Sequence, residues 1–152
     1  MDKNKKIKRY ERLYQQINGL IKDKSYFTAN MATIVAVLHH KMEYFFWTGF
    51  YLMTDGDLIV GPYQGPVACI HLEKNTGVCW AGINRAETIV VPDVEKFPGH
   101  IACDSRSKSE LVVPLKKPDG KIIGVLDVDS SSLDSFDEVD AEWVEKILAL
   151  LW

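Results

Sequence analysis

The sequence predicts an α+β domain in which a largely antiparallel sheet of about six strands is covered by helices. Apolar residues recur at three-and-four spacing towards both ends of the chain, whereas the middle alternates in short aromatic and β-branched runs. Turn residues punctuate that middle at hairpin spacing, with Asp55-Gly56 and Pro118-Asp119-Gly120 each between two strand-like runs. At 152 residues the chain fits one domain, residues 1–152, large enough to bury a core without disulfide or metal staples.

The first helix rests on Ile7, Tyr10, Leu13, Tyr14, Ile17, Leu20 and Ile21, one apolar stripe with Lys and Gln opposite. Thr28 is the expected N-cap of a second helix, whose stripe is Met31, Ile34, Val35, Leu38 and Met42, and whose last turn holds His39, His40 and Lys41. From Tyr44 the period shortens. Residues 46–52 read as a strand and 58–61 as its partner across the Asp55-Gly56 turn. Further strands are expected at 67–72, 88–91, 110–115 and 121–129, the last two forming a second hairpin. A final helix begins at a capping box of Ser135 and Glu138 and carries Val139, Trp143, Val144, Ile147, Leu148 and Leu151. Residues 62–66 and 92–109 are the long irregular connections, where functional groups are expected.

Charge excludes some functions. The net charge of -3 argues against a general affinity for nucleic acid, which needs a basic face. No apolar run approaches the roughly eighteen residues of a membrane helix, and the basic start leads into an amphipathic helix instead of a signal peptide, so a cytoplasmic protein is expected. Residues 1–24 carry eight Lys and Arg against three Asp and Glu, while 127–152 carry eight Asp and Glu against one Lys. Two such faces attract each other, within one chain or across a homodimer.

Three cysteines, Cys69, Cys79 and Cys103, lie in the middle third beside Gly, Pro and His, outside the apolar helix stripes. An odd count in a reducing compartment is no disulfide framework. In the segment from Phe97 to Ser105, Pro98 and Gly99 set an unusual backbone ahead of Cys103, and Arg106 and Lys108 follow; nearby cations favour the nucleophilic thiolate. A buried structural role is the alternative for a lone Cys, and three such settings together favour chemistry. Zinc is disfavoured. No two cysteines lie two to four residues apart, and Cys69 with His71 has no chelating turn.

Asp127 and Asp129 share one face of an otherwise apolar strand, and Glu110 opens the preceding strand of the same hairpin. Carboxylates there are costly unless they meet water, a cation or a ligand, so the three suit a ligand's ammonium group, or one of them stays protonated as a general acid. Trp47 and Tyr51 share a face of the aromatic strand; such stripes are usually core.

The strings WTGFYL, GPYQGPVACI, GVCW, VVPDVEKFPGHIACDS, SELVVPL and GVLDVDS resemble the free methionine-(R)-sulfoxide reductases, GAF-domain enzymes. The likeness runs from Trp47 to the last helix and includes the order and spacing of the three cysteines. It implies a six-stranded antiparallel sheet with the terminal helices on one side and a small pocket on the other. It implies Cys103 as nucleophile with Cys69 or Cys79 as the resolving thiol, Glu110, Asp127 and Asp129 as substrate-binding carboxylates, and Trp47 and Tyr51 as pocket walls. Trp80 follows Cys79 where the family usually has Gly and small residues, which tilts the resolving role towards Cys69. The implied chemistry is thiol-dependent reduction of free methionine sulfoxide through a sulfenic acid and an intramolecular disulfide. Thioredoxin or a similar dithiol is the implied reductant, with no metal or organic cofactor. The competing expectation is a non-catalytic GAF module that senses a small molecule or redox state.

Overall fold

In a computed structural model that describes residues 1–100 and 102–152, the chain runs α1 (Lys3–Leu20), α2 (Phe27–Lys41), β1 (Trp47–Thr54), β2 (Asp57–Gln64), β3 (His71–Leu72), α3 (Gly77–Arg85), β4 (Ile89–Val91), β5 (Ser109–Lys116), β6 (Ile122–Ser130) and α4 (Glu138–Ala149). The six strands form one antiparallel sheet in the order β3-β2-β1-β6-β5-β4. Asp55 and Gly56 both take positive φ, as the two-residue turn joining β1 to β2 requires. The expected α+β architecture is therefore present.

Period-two alternation splits the core into two layers. Phe50, Leu111, Val113, Leu126 and Val128 face α2 and α4, and α1 packs across both helices. Trp47, Tyr51, Val112 and Val125 face the other way, towards Val78, Cys79 and Trp80 of α3. The charged ends of the chain meet within it: Lys3 pairs with Glu138 at 3.0 Å, and Lys6 with Asp137 at 3.0 Å and Asp140 at 2.8 Å. No helix among the described residues is long and apolar enough to cross a membrane.

Several local expectations are corrected. Thr28 does not cap α2, because the helix begins at Phe27, whose ring stacks on Trp152, and Tyr26 precedes it without a side-chain cap. The capping box of α4 is Asp137 with Asp140; Ser135 instead bonds Ser130, and Glu138 faces Lys3. Strand β2 continues through Pro62 to Gln64, where β3 no longer pairs with it and a missing N–H costs nothing in the ladder. The strand expected at 67–72 shrinks to His71–Leu72, since side chains claim the backbone before it: Trp47 Nε1 donates to the Pro66 carbonyl and the Tyr51 hydroxyl to that of Cys69. Helix α3 was not expected. Its nine residues are too short for a convincing apolar period, and they place Cys79 in a helix's first turn.

Candidate active site

The sheet assembles the site in rows. Trp47 of β1, Asp129 of β6 and Glu110 of β5 are direct cross-strand neighbours. Gly49, Asp127 and Val112 form the next row, and Tyr51, Val125 and Pro114 the one after. Because side chains alternate, the residues two apart on each strand share the face towards α3. Three carboxylates and two aromatics thus converge although they lie up to 82 positions apart, from Trp47 to Asp129.

Gly49 makes this possible. A Cβ there would stand 2.4 Å from Tyr63 Cβ and 2.5 Å from the Trp47 ring. Without it, Trp47 lies stacked between Tyr51 and Tyr63, at ring-centroid distances of 5.8 and 5.4 Å. The two hydrogen bonds from Trp47 and Tyr51 then tie this wall to the loop that carries Cys69.

Opposite the aromatic wall, the first turn of α3 and His100, Ala102, Cys103, Asp104 and Ser107 close a cleft of about 640 Å³, counted to its open mouth. It is lined by seven of the eight residues singled out from the sequence, Trp47, Tyr51, Cys79, Cys103, Glu110, Asp127 and Asp129, and the eighth, Cys69, is joined to Cys103 by a disulfide. The Cys69–Cys103 bond spans 34 residues with the Cα atoms 5.6 Å apart. Cys79 stays a free, buried thiol. Ile101, part of the PGHIACD string, lies outside the described residues.

Burial governs the electrostatics. Glu110 and Asp127 are almost inaccessible, and Asp127 Oδ1 has no hydrogen-bond partner. Burial pushes the carboxyls of Glu110 and Asp129 well up, with Asp127's charge adding to each, and raises Asp127 to about 6. The Cys79 thiol is also driven up, by burial first and then by the charges of Asp127, Glu110 and Asp129. A thiol in that setting is a poor nucleophile. His100 Nδ1 lies 3.8 Å from Glu110 Oε2, and burial lowers the His100 pKa while raising that of Glu110, so burial favours the neutral form of each.

One sequence expectation about Cys103 changes. Arg106 does not serve the thiol: its guanidinium makes paired bonds to Asp104, 3.0 and 2.7 Å, and lies over the Phe46 ring. The sequence also gave Gly49 and Asp104 no part; Asp104 lines the cleft, as does His100. A Gly inside an aromatic strand was the available signal for Gly49, since it marks close approach of another group.

The GAF domain family matches residues 32–152. A curated free methionine-R-sulfoxide reductase from Escherichia coli is 37% identical over 142 residues, covering 93% of this chain and 86% of that protein. The chain belongs to the free methionine-R-sulfoxide reductase family of GAF-domain proteins. GAF domain-containing protein A of Dictyostelium discoideum is 50% identical over 152 residues, 99% of this chain and 95% of that one. The free methionine-R-sulfoxide reductase of Neisseria meningitidis, solved with its substrate, superposes with a TM-score of 0.88 at 41% identity, over 93% of this chain and 85% of that one. The strings that carry the family likeness converge on the cleft. WTGFYL supplies β1, GPVAC the Cys69 loop, GVCW the first turn of α3, SELVVPL β5 and GVLDVDS β6.

Proposed function

We propose that the protein reduces free L-methionine-(R)-sulfoxide to methionine, with Cys103 as the nucleophile and Cys69 as the resolving thiol. The observation that carries this reading is the convergence of Cys103, the carboxylates of Glu110, Asp127 and Asp129, the first two buried, and the Trp47-Tyr51 wall on one small cleft. Its likeness to the Escherichia coli and Neisseria meningitidis free methionine-R-sulfoxide reductases supports it.

The substrate's ammonium group lies against Glu110, Asp127 and Asp129, where charge-assisted hydrogen bonds offset carboxylates that are otherwise costly to bury. Its carboxylate faces the first turn of α3, whose N–H groups have no side-chain cap. The methyl end rests on Trp47 and Tyr51. In the chemical step the Cys103 thiolate attacks the sulfoxide sulfur, an S–S bond forms, and the S–O bond breaks as the protonated oxygen leaves as water. Water then adds to the Cys103 sulfur, the S–S bond breaks with its electron pair going to the substrate sulfur, and methionine leaves Cys103 as the sulfenic acid. A carboxyl held protonated by burial donates to the sulfoxide oxygen as charge develops there. The Cys69 thiol then condenses with the sulfenic acid, water leaves, and the Cys69–Cys103 disulfide forms. Thioredoxin or a similar cytoplasmic dithiol returns both thiols.

NADPH consumption with thioredoxin, its reductase and racemic methionine sulfoxide tests the reading. Turnover is expected to stop with about half of the racemate left, because one pocket holds the sulfur in one orientation. N-acetyl methionine sulfoxide lacks the ammonium and leaves buried carboxylates unpaired at about 1 to 3 kcal/mol per lost interaction, so its kcat/KM falls roughly 10- to 100-fold. Equal specificity constants for the two substrates would remove the carboxylates from the binding role. Binding of methionine without turnover would favour a sensor.

A further inference from the structure

We propose that Cys79, Glu110 and Asp127 form a binding site for a soft divalent cation of the zinc class inside the same cleft. The Cys79 sulfur and one oxygen from each carboxylate all lie within 4.8 Å of one another, and all three residues are buried. They come from α3, β5 and β6, so no local chelating spacing betrays them in the sequence. Metal bonds of about 2.3 Å to sulfur and 2.0–2.2 Å to oxygen draw tetrahedral donors to roughly 3.5 Å from one another, so the side chains close on the ion, and one thiolate with two carboxylates is a donor set that zinc and cadmium accept.

Three independent features mark the cluster as made for a cationic occupant. Asp127 Oδ1 is buried without a hydrogen-bond partner, although the residue is only 6% exposed. His100, whose Nδ1 lies 3.8 Å from Glu110 Oε2, likewise has a buried Nε2 with no hydrogen-bond partner among the described residues. Among the described residues that line the cleft, none is Lys or Arg, so no fixed cation there is paired with the carboxylates. Cys79 is also the thiol that a Cys69–Cys103 cycle leaves idle. On binding, the cation takes the Cys79 sulfur as thiolate and the displaced proton goes to solvent, which makes the affinity rise with pH.

The site does not depend on the reductase reading, and the test uses the oxidised protein, in which Cys79 is the only free thiol. Titration with Cd²⁺ at mildly alkaline pH should produce a sulfur-to-metal charge-transfer band saturating at one ion per chain. Cys79→Ser should abolish the band. Glu110→Gln, which keeps shape and size, should weaken the cadmium affinity by at least the roughly 10-fold that even an outer-shell loss costs. Exposed groups such as the His71–Asp57 pair bind cations without a sulfur band, so they do not mimic the result. A wild-type protein that shows no band, or a band that persists in Cys79→Ser, overturns the proposal. If free methionine displaces the ion, cation and amino acid share the cleft. A sulfur band indifferent to excess methionine keeps the cation site and counts against methionine as the ligand.

Discussion

Gly49 on β1 stands directly opposite Asp127 on β6, and the space its missing side chain leaves is filled by the Trp47 ring and the Cβ of Tyr63. Gly49→Ala must displace one of them, and both belong to the aromatic wall. We expect a loss of about 1 to 3 kcal/mol in stability, as for other overpacked sites, together with a raised KM for methionine sulfoxide. Urea unfolding and steady-state kinetics check the two effects. Unchanged KM in a folded variant would separate the wall from substrate binding.

The thiols should divide by role. Cys103→Ser is expected to abolish methionine formation even in a single turnover, whereas Cys69→Ser should give one stoichiometric burst and then stall. Cys79→Ser should still form the Cys69–Cys103 bond on exposure to substrate, as read by peptide mapping. A burst in Cys103→Ser that vanishes in Cys79→Ser would move the nucleophile to Cys79.

The sheet and the three outer helices were readable because their apolar periods are long and their turns carry Asp-Gly or Pro-Asp-Gly, which leave few backbone alternatives. Asp127 and Asp129 stood out for a similar reason: carboxylates in an apolar strand break its pattern. What escaped was set by tertiary contact. Residues 67–70 have strand-like composition, but the Trp47 and Tyr51 side chains bond carbonyls in the Pro66–Cys69 stretch and hold it as a loop. Arg106 is near Cys103 in sequence, yet Asp104 is nearer in space. Helix α3 is nine residues long, and its docking on Val112 and Val125, not its own period, fixes it.

A buried ionic network ties the chain's ends together. Lys6 bonds Asp140 and Asp137, and Asp140 also accepts from the hydroxyls of Tyr10 and Tyr44. Burial alone would lower the Lys6 pKa, but the two carboxylates more than reverse it. Asp140→Ala leaves the buried Lys6 ammonium with Asp137 alone and removes the acceptor of two tyrosine hydroxyls, and we expect a loss of about 3 to 5 kcal/mol. Lys6→Met should cost less, since Asp140 keeps both tyrosines and the Asp137 N–H. Chemical denaturation of the two variants checks the order, and a costlier Lys6→Met would show that the ammonium is a net stabiliser.

The carboxylates of the cleft should leave a mark on stability that runs against the usual acid sensitivity. Burial raises Asp127 to about 6 from an ordinary 3.8, so the native state holds that proton more tightly than the unfolded chain does. Stability from this group is therefore highest at low pH and falls as pH rises from about 4 through 6. Exposed carboxylates with lowered values, such as Asp104 at about 2 beside Arg106, act in the opposite sense, so the wild-type profile alone mixes the two. The difference between wild type and Asp127→Asn removes the exposed groups from the comparison and leaves Asp127 together with its effect on Glu110 and Asp129. Without ligand, the variant is expected to match the wild type near pH 4 and to exceed it by on the order of 2 kcal/mol at pH 7, while losing activity. Saturating free methionine should narrow the gap at pH 7, because its ammonium compensates the carboxylate only where the carboxylate is present, and a ligand at about 100 times its Kd adds roughly 2.7 kcal/mol to the state it binds. Urea unfolding at several pH values, with and without methionine, measures both. A pH-independent difference between the two proteins would mean that Asp127 keeps the same charge when folded and unfolded, and would withdraw it from any role that depends on its burial.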